Sequence, residues 1–333
     1  MHALITGGGG FIGSHLTRAL MSSGHDVTVL DNFSSGKLAS LEDERDNRRL
    51  RVVTDTVMNE TVVDRLISET DVVFHLAAAV GVEMIVRDPV HVIETNVQGT
   101  SIILRAARRY GRKVLLASTS EIYGKNTETP FAEEHDRVVG PTTMARWSYS
   151  ASKAVDEFLA LAYYRQWDLP VVIFRLFNTI GPRQTGQYGM VVPRLVQQAL
   201  SGSPLTVYGD GQQTRCFCDV QDVVRALVQL ADSEAAIGEV FNVGSTAETT
   251  ILDLAKEILR LVPGVDANEV PVGANEHIRF IAYEEAYGPG FEDMRHRVPD
   301  ISKIQTTIGW QPEISLKESL LRIRDSEIST LRQ

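Results

Sequence analysis

Tyr149-Ser-Ala-Ser-Lys153 sets a phenol and an ammonium four residues apart. On a helix that spacing puts both side chains on one face. A tyrosine with its ordinary pKa of ~10 is a poor base at neutral pH. A neighbouring ammonium and a positive nicotinamide would favour the phenolate, so Tyr149 is expected to titrate below its usual range. It is then able to take a proton from a substrate hydroxyl. A second polar group, Ser118-Thr-Ser-Glu121, follows an apolar run and precedes Ile122-Tyr-Gly124. Thr119 and Ser120 offer hydroxyls to orient a substrate oxygen, and Glu121 sets a carboxylate beside them.

Upstream, Thr6-Gly-Gly-Gly-Gly10-Phe-Ile-Gly13 follows a strand and opens a helix. Gly7, Gly10 and Gly13 allow in turn a tight turn, a close approach of backbone to a pyrophosphate, and packing of helix on strand. The helix start, at Phe11 and Ile12, presents free N–H groups to an anion. Asp31 ends the second strand, with Asn32 beside it. Its carboxylate suits a ribose 2′-hydroxyl and repels a 2′-phosphate, which selects NAD over NADP. Asp55, after the third strand, is in place to accept from an adenine amino group. Together these residues join a proton acceptor to a hydride acceptor.

The elements that must hold these groups alternate. Strands are read at Ala3–Ile5, Asp26–Leu30, Arg51–Val53, Asp71–His75, Lys113–Ala117 and Pro170–Arg175. Helices are read from about Phe11 to Ser23 and over Val90–Tyr110. Continuous β-branched runs between helices predict a parallel sheet covered on both faces, a doubly wound Rossmann α/β fold. After Asn178 the rhythm shortens around Gly181-Pro182 and Ser201-Gly-Ser-Pro204. The expected division is a cofactor domain over 1–178 and a smaller C-terminal α/β substrate domain over 179–333, with 239–244 possibly returning to the first sheet.

The 333 residues are 43% hydrophobic and 23% charged, with net charge −10. An acidic chain disfavours a nucleic-acid partner. No apolar run approaches the ~20 residues of a membrane span. A strand starting at Ala3 leaves no room for a leader, so a cytoplasmic location is expected. Two cysteines, Cys216 and Cys218, make neither a disulfide framework nor a four-ligand metal site, and no metal is expected.

These motifs, with His75-Leu-Ala-Ala78, Asn96, Arg175-Leu-Phe-Asn178, Gly181-Pro-Arg183, Thr206-Val-Tyr-Gly-Asp-Gly211 and Arg297-Val-Pro-Asp300, resemble the extended short-chain dehydrogenase/reductase superfamily. This superfamily holds the nucleotide-sugar epimerases, dehydratases and decarboxylases. The resemblance runs from Met1 to about Leu321. It implies that Tyr149 is the base, that Lys153 binds the nicotinamide ribose, that Thr119 touches the sugar 4-hydroxyl, and that Leu76, Ala77 and Ala78 line the cofactor. It also implies a homodimer through helices near Val90–Tyr110 and Tyr149–Trp167.

Thr119-Ser120-Glu121 is most similar to the UDP-glucuronate decarboxylases, as are the stretch Gly140–Tyr149 and the tail Tyr287–Arg297. In that subfamily Glu121 and Arg297 assist loss of the carboxylate. Two positions depart from it: Ile85 and Phe291 stand where tyrosines are usual. A UDP-sugar pyrophosphate suits bidentate arginines, with Arg215 and Arg297 the first candidates and Arg194 and Arg183 the next. Tyr208 is in place to stack on uracil, and Asn178 to touch substrate. Arg175 is expected in a structural ion pair, and His75 as a core histidine. The reaction implied is C4 oxidation by NAD, loss of the C6 carboxylate as CO2, and formation of a UDP-4-keto-pentose or UDP-xylose. The alternatives are a 4-epimerase, a 4,6-dehydratase, and an NAD-sensing scaffold of the same fold.

Overall fold

The computed structural model describes residues 1–186, 190–262, 277–283, 285 and 294–331. Its strands in chain order are β1 (His2–Thr6), β2 (Asp26–Asp31), β3 (Leu50–Thr54), β4 (Val72–His75), β5 (Lys113–Thr119), β6 (Val171–Leu176), β7 (Thr179–Ile180), β8 (Leu205–Tyr208), β9 (Thr214–Cys216), β10 (Cys218–Asp219), β11 (Val240–Val243), β12 (Glu248–Thr250) and β13 (Ile278–Ile281). The α-helices are α1 (Phe11–Ser22), α2 (Glu60–Ser68), α3 (Val82–Arg87), α4 (Pro89–Tyr110), α5 (Trp147–Trp167), α6 (Val191–Leu200), α7 (Val220–Asp232), α8 (Ile251–Arg260), α9 (Ser302–Ile308) and α10 (Leu316–Leu331).

Seven strands form one parallel sheet in the order β11-β6-β5-β4-β1-β2-β3. The chain starts in the middle, winds outward to β3, then returns past β1 to build the other half. This is the doubly wound order, with its crevice at the β1/β4 switch point. Successive strand residues face opposite sides. Ala3, Ile5, Phe74, Leu115, Val172 and Phe174 pack in one core with α1, α7 and α9. Leu4, Val73, Val114, Leu116, Val171 and Ile173 pack in another with α2, α4 and α5. That is why these strands read as unbroken apolar runs. β11 joins the sheet as the partner of β6, with Val240 opposite Ile173.

The helices start where capping residues stand. Asn59 accepts from Val62 N–H at α2, and Asp88 accepts from His91 N–H at α4, where Pro89 follows. Gly111, at φ 62°, closes α4. A third core is separate from the sheet and joins α6, α8 and α10 to β8 and β13. From the same half of the chain, α7 and α9 as well as β11 pack with the first sheet, so the expected return to that sheet is wider than 239–244. The tail returns across the molecule: Phe131 N–H donates to Val298 O and Asp300 N–H to Phe131 O, both at 2.8 Å. No helix among the described residues is long and apolar enough to cross a membrane.

Candidate active site

At the switch point the glycines have steric reasons. Gly7 turns at φ 75°, and a Cβ there would lie 2.8 Å from Ala77 N. A Cβ on Gly13 would lie 2.2 Å from the carbonyl of Gly7. Helix α1 therefore sits on the turn only with glycine at both positions. Its N-terminus, at Gly10, has no side-chain cap and no acid in its first turn. The amides of Phe11, Ile12 and Gly13 thus keep their donors for an outside acceptor. Asp31 closes β2 beside them, its Oδ2 accepting from Gly9 N–H at 2.8 Å and its Oδ1 from Phe33 N–H at 2.7 Å. Burial pushes the Asp31 carboxyl above its ordinary range, against the pull of these amides. A bare helix start with a buried acid at the end of the second strand fits a dinucleotide.

Around this cradle, Leu76 N–H donates to Thr6 O at 3.1 Å and Ala77 N–H to Thr6 Oγ1 at 3.3 Å, so the Leu76–Ala78 loop lies along the glycine turn. Asn96 fixes its far end, accepting from Ala79 N–H at 2.9 Å. Asn32 Oδ1 accepts from Ser34 N–H at 3.1 Å. Asp55 is taken up locally by Thr56 N–H at 2.7 Å and Asn59 Nδ2 at 3.0 Å. His75 bridges Thr6 Oγ1, at 2.7 Å, and Thr100 Oγ1, at 3.2 Å. Burial lowers it to about 3, which makes it a neutral core histidine.

Helix α5 carries Tyr149 and Lys153 on one buried face. The Tyr149 hydroxyl hydrogen-bonds Thr119, at the end of β5. Burial pushes the Tyr149 phenol above the usual range, and the charges of Glu121 and Asp156 push it further, with only the Thr119 bond opposing. Lys153 Nζ donates to Asp156 Oδ2 at 2.8 Å.

Beside Thr119, Glu121 lies between two arginines. Arg297 Nη2 donates to its Oε1 at 2.5 Å, and Arg146 Nη2 is 3.4 Å from its Oε2. Arg297 Nη1 is also 3.5 Å from Ser120 Oγ. Burial pushes the Glu121 carboxyl up, but Arg297, Arg146 and Arg215 outweigh it and hold the group down at about 2. Glu121 is therefore ionised at neutral pH, with no proton to give.

Beneath these groups a buried polar chain fixes the loops. Ser118 Oγ donates to Glu157 Oε1 at 2.5 Å, and Arg175 forks onto Glu157 at 2.9 and 2.8 Å. Arg175 also donates to the Tyr123 hydroxyl, which donates to Asn242 Oδ1 at 2.7 Å. Asn242 Nδ2 donates to the carbonyls of Phe131 and Asp300. Arg175 thus closes the structural ion pair expected of it, and the chain ties β5, α5, β6 and β11 to the tail that carries Arg297.

The model of the GDP-mannose 4,6-dehydratase family matches residues 4–323. The chain belongs to this family. Among curated relatives, a UDP-N-acetyl-alpha-D-glucosaminuronate decarboxylase of Bacillus cytotoxicus is 41% identical over 97% of this chain and 98% of its own length. UDP-glucuronic acid decarboxylase 1 of Xenopus tropicalis is 38% identical over 95% of this chain and 70% of its own. Among solved structures, the UDP-glucuronic acid 4-epimerase of Bacillus cereus, in complex with UDP-glucuronic acid and NAD, superposes with a TM-score of 0.86 at 30% identity, covering 99% of this chain and 100% of that one.

The family resemblance also named substrate-side residues, and most of these make protein bonds. Arg215 Nη1 donates to the carbonyls of Thr214, at 2.7 Å, and Met294, at 2.8 Å, clasping the tail. Arg194 donates to Thr206 O at 2.7 Å and to Thr206 Oγ1, and its guanidinium lies 4.4 Å from the centre of the Tyr208 ring. Asn178 Nδ2 donates to Cys216 O at 3.2 Å. Arg183 turns away to Ser14 Oγ, 3.3 Å distant on α1. Ile85 is buried in one apolar cluster with Ala79, Val92 and Tyr149, so a family tyrosine position is here part of the wall near the phenol. Phe291 lies outside the described residues.

Two residues escaped the sequence reading. Arg146 stands three before Tyr149 and Asp156 three after Lys153, one helical turn in each case. That spacing was the available signal, but no pattern separates such charges from ordinary helix surface.

Proposed function

We propose that the chain is an NAD-dependent nucleotide-sugar decarboxylase acting on UDP-glucuronate. The observation that carries this is Glu121, ionised and clasped by Arg297 and Arg146 within reach of the Tyr149–Thr119 pair. A 4-epimerase needs only a base, a hydride acceptor and room for the sugar to turn. A carboxylate held between two guanidiniums adds the charges that a uronate and its departing CO2 require. The naming of the curated relatives supports the same reading.

NAD, held by Gly7–Gly13 and Asp31, supplies reversible hydride acceptance at C4. Tyr149 takes the proton of the 4-hydroxyl, with Thr119 orienting that oxygen and Lys153 holding the nicotinamide ribose. The C4 ketone is β to the carboxylate, so the C5–C6 bond breaks with its electron pair entering the enolate. Arg297 and Ser120 steady the carboxylate as it becomes CO2. Glu121 orients Arg297 and the water whose proton is added at C5. Release after that step gives the UDP-4-keto-pentose; return of the hydride gives UDP-xylose. On the substrate side, Asn178, Arg194, Tyr208, Arg215 and Arg297 are assigned to the nucleotide sugar. Residues 1–178, with β11, are assigned to the cofactor and 179–333 to the sugar nucleotide.

A homodimer through α4 and α5 is part of the proposal. Val90 and Ile93 on α4, and Val155 and Phe158 on α5, are large apolar side chains left exposed, Phe158 by 66%. A cytoplasmic location accords with two buried free thiols, Cys216 and Cys218.

The test is incubation with UDP-glucuronate, its 2-acetamido counterpart and UDP-glucose, with products identified by mass. CO2 and a UDP-pentose are expected from UDP-glucuronate. Decarboxylation of the acetamido sugar alone would move the assignment to the substrate of the Bacillus cytotoxicus relative. Interconversion of C4 epimers without CO2 would replace it with epimerase chemistry.

A further inference from the structure

Strand β11 reads Val240-Phe-Asn-Val243, and its one polar side chain is fully buried. Asparagine is a poor strand former, and a buried amide must find partners for both of its ends. Asn242 does so across three segments. Its Oδ1 accepts from the Tyr123 hydroxyl at 2.7 Å, and its Nδ2 donates to Phe131 O at 2.8 Å and to Asp300 O at 3.1 Å. The direction of these bonds is fixed by a charge further along. A guanidinium only donates. Arg175, forked onto Glu157, donates through Nη1 to the Tyr123 hydroxyl at 2.9 Å, so that hydroxyl accepts there and directs its own proton at Asn242 Oδ1. Nδ2 is then the end that faces two carbonyls, which only accept.

We propose that Asn242, oriented by the Tyr123 hydroxyl, is a positioning residue for Arg297: it fixes the tail backbone so that the guanidinium meets Glu121 and Ser120, and it thereby governs loss of the carboxylate without governing oxidation at C4. This rests on the reading of the chain as a uronate decarboxylase. Arg297 sits midway between two clasps on the tail. Arg215 holds the carbonyl of Met294, three residues before it, and Asn242 holds that of Asp300, three residues after it. The tail pairs with Phe131 between these points, through Phe131 N–H to Val298 O and Asp300 N–H to Phe131 O. Asn242 is the side chain that takes the carbonyls of both partners, Phe131 and Asp300. Arg297 then reaches Glu121 Oε1 at 2.5 Å and Ser120 Oγ at 3.5 Å. A long side chain carries any shift of its backbone to the guanidinium, so a loosened clasp takes those nitrogens off their acceptors.

Asn242→Leu fills the same place and removes both ends of the amide. The measurement is a single turnover of the NAD-loaded full chain on UDP-glucuronate, with CO2 release and NADH formation followed in one sample. The ratio of the two rates does not depend on the fraction of enzyme folded, so a residue with a merely structural role leaves it unmoved. In Asn242→Leu the ratio should fall at least ~10-fold, towards the ~10²-fold that a misplacement of about 1 Å costs. A smaller fall overturns the proposal. In an Arg297→Ala background the same substitution should lower the ratio no further, because the group through which Asn242 acts is already gone. A repeat of the full fall there also overturns it.

Tyr123→Phe is the milder variant. It keeps the ring stacked on Phe131, with centres 4.6 Å apart, and leaves Arg175 on Glu157 and on the Glu133 carbonyl. Only the bond that orients Asn242 is lost. The ratio should fall about fivefold, the worth of one ordinary hydrogen bond. An unchanged ratio in Tyr123→Phe overturns the proposal even if Asn242→Leu does not fold. The two readings fail differently. A wild type that forms NADH and releases no CO2 ends the decarboxylase reading and this inference with it. A wild type that releases CO2, beside variants whose ratio does not move, ends this inference alone.

Discussion

Glu121→Gln takes one negative charge from between Arg297, at 2.5 Å, and Arg146, at 3.4 Å, and leaves two buried guanidiniums facing each other. The structure sets the scale. Glu121 titrates at about 2 instead of the ordinary 4.5. At 1.36 kcal/mol per pH unit, a depression of ~2.5 units corresponds to about 3 kcal/mol of stability from the ionised form. The folded value lies below the unfolded one, so this contribution is complete above about pH 4.5 and is lost as the pH falls towards 2. Denaturant unfolding of wild type and variant should therefore differ by about 3 kcal/mol at pH 7, with the gap narrowing below pH ~4.5. Turnover should suffer as well. Carbon dioxide release from UDP-glucuronate should drop by ~10²-fold or more, the scale of a positioned acid–base group. C4 oxidation uses Tyr149 and Thr119 and should fall less, so transient NADH persists. Carbon dioxide and NADH are followed together. A variant as stable as wild type at pH 7 would refute the electrostatic account of the Arg297–Glu121–Arg146 cluster. Undiminished CO2 release would remove Glu121 from the chemistry.

Binding of NAD should exceed that of NADP, because the buried Asp31 carboxylate repels a 2′-phosphate; fluorescence titration with tighter NADP binding would contradict this. Tyr149→Phe should abolish turnover and leave NAD affinity nearly unchanged, since only the proton acceptor is lost; a variant keeping most of the wild-type rate would exonerate the phenol. Phe158→Glu sets a charge on the exposed apolar stripe of α5 and should give a monomer by light scattering where wild type is a dimer. A monomeric wild type at micromolar concentration would end the dimer proposal.

The sheet was legible because its strands are buried on both faces. Such strands must be continuously apolar, and the sequence shows them so at Ala3–Ile5, Val72–Phe74 and Val171–Phe174. The cradle was legible for a steric reason: only glycine fits where a Cβ would meet Gly7 O or Ala77 N. The short strands after Asn178 were less so. β7, β9, β10 and β12 have two or three residues each, too few for a period to register.

What sequence by itself determined was the set of local rules: the Gly7–Gly13 turn, the Tyr149–Lys153 spacing on one helix, and the alternation that builds a doubly wound sheet. What tertiary structure decided was the ionic state of the groups so placed. Sequence offered Lys153 and a bound nicotinamide as support for a phenolate; the fold adds burial, which raises the Tyr149 phenol, and pairs Lys153 with Asp156. It offered Glu121 as an acid working with Arg297; the fold sets Arg297 on it through the tail returning along Phe131, and adds Arg146 from the start of α5. Spacing along a chain fixes which side chains share a face. Charge state depends on burial and on partners far away in sequence, and these exist only once the chain has folded.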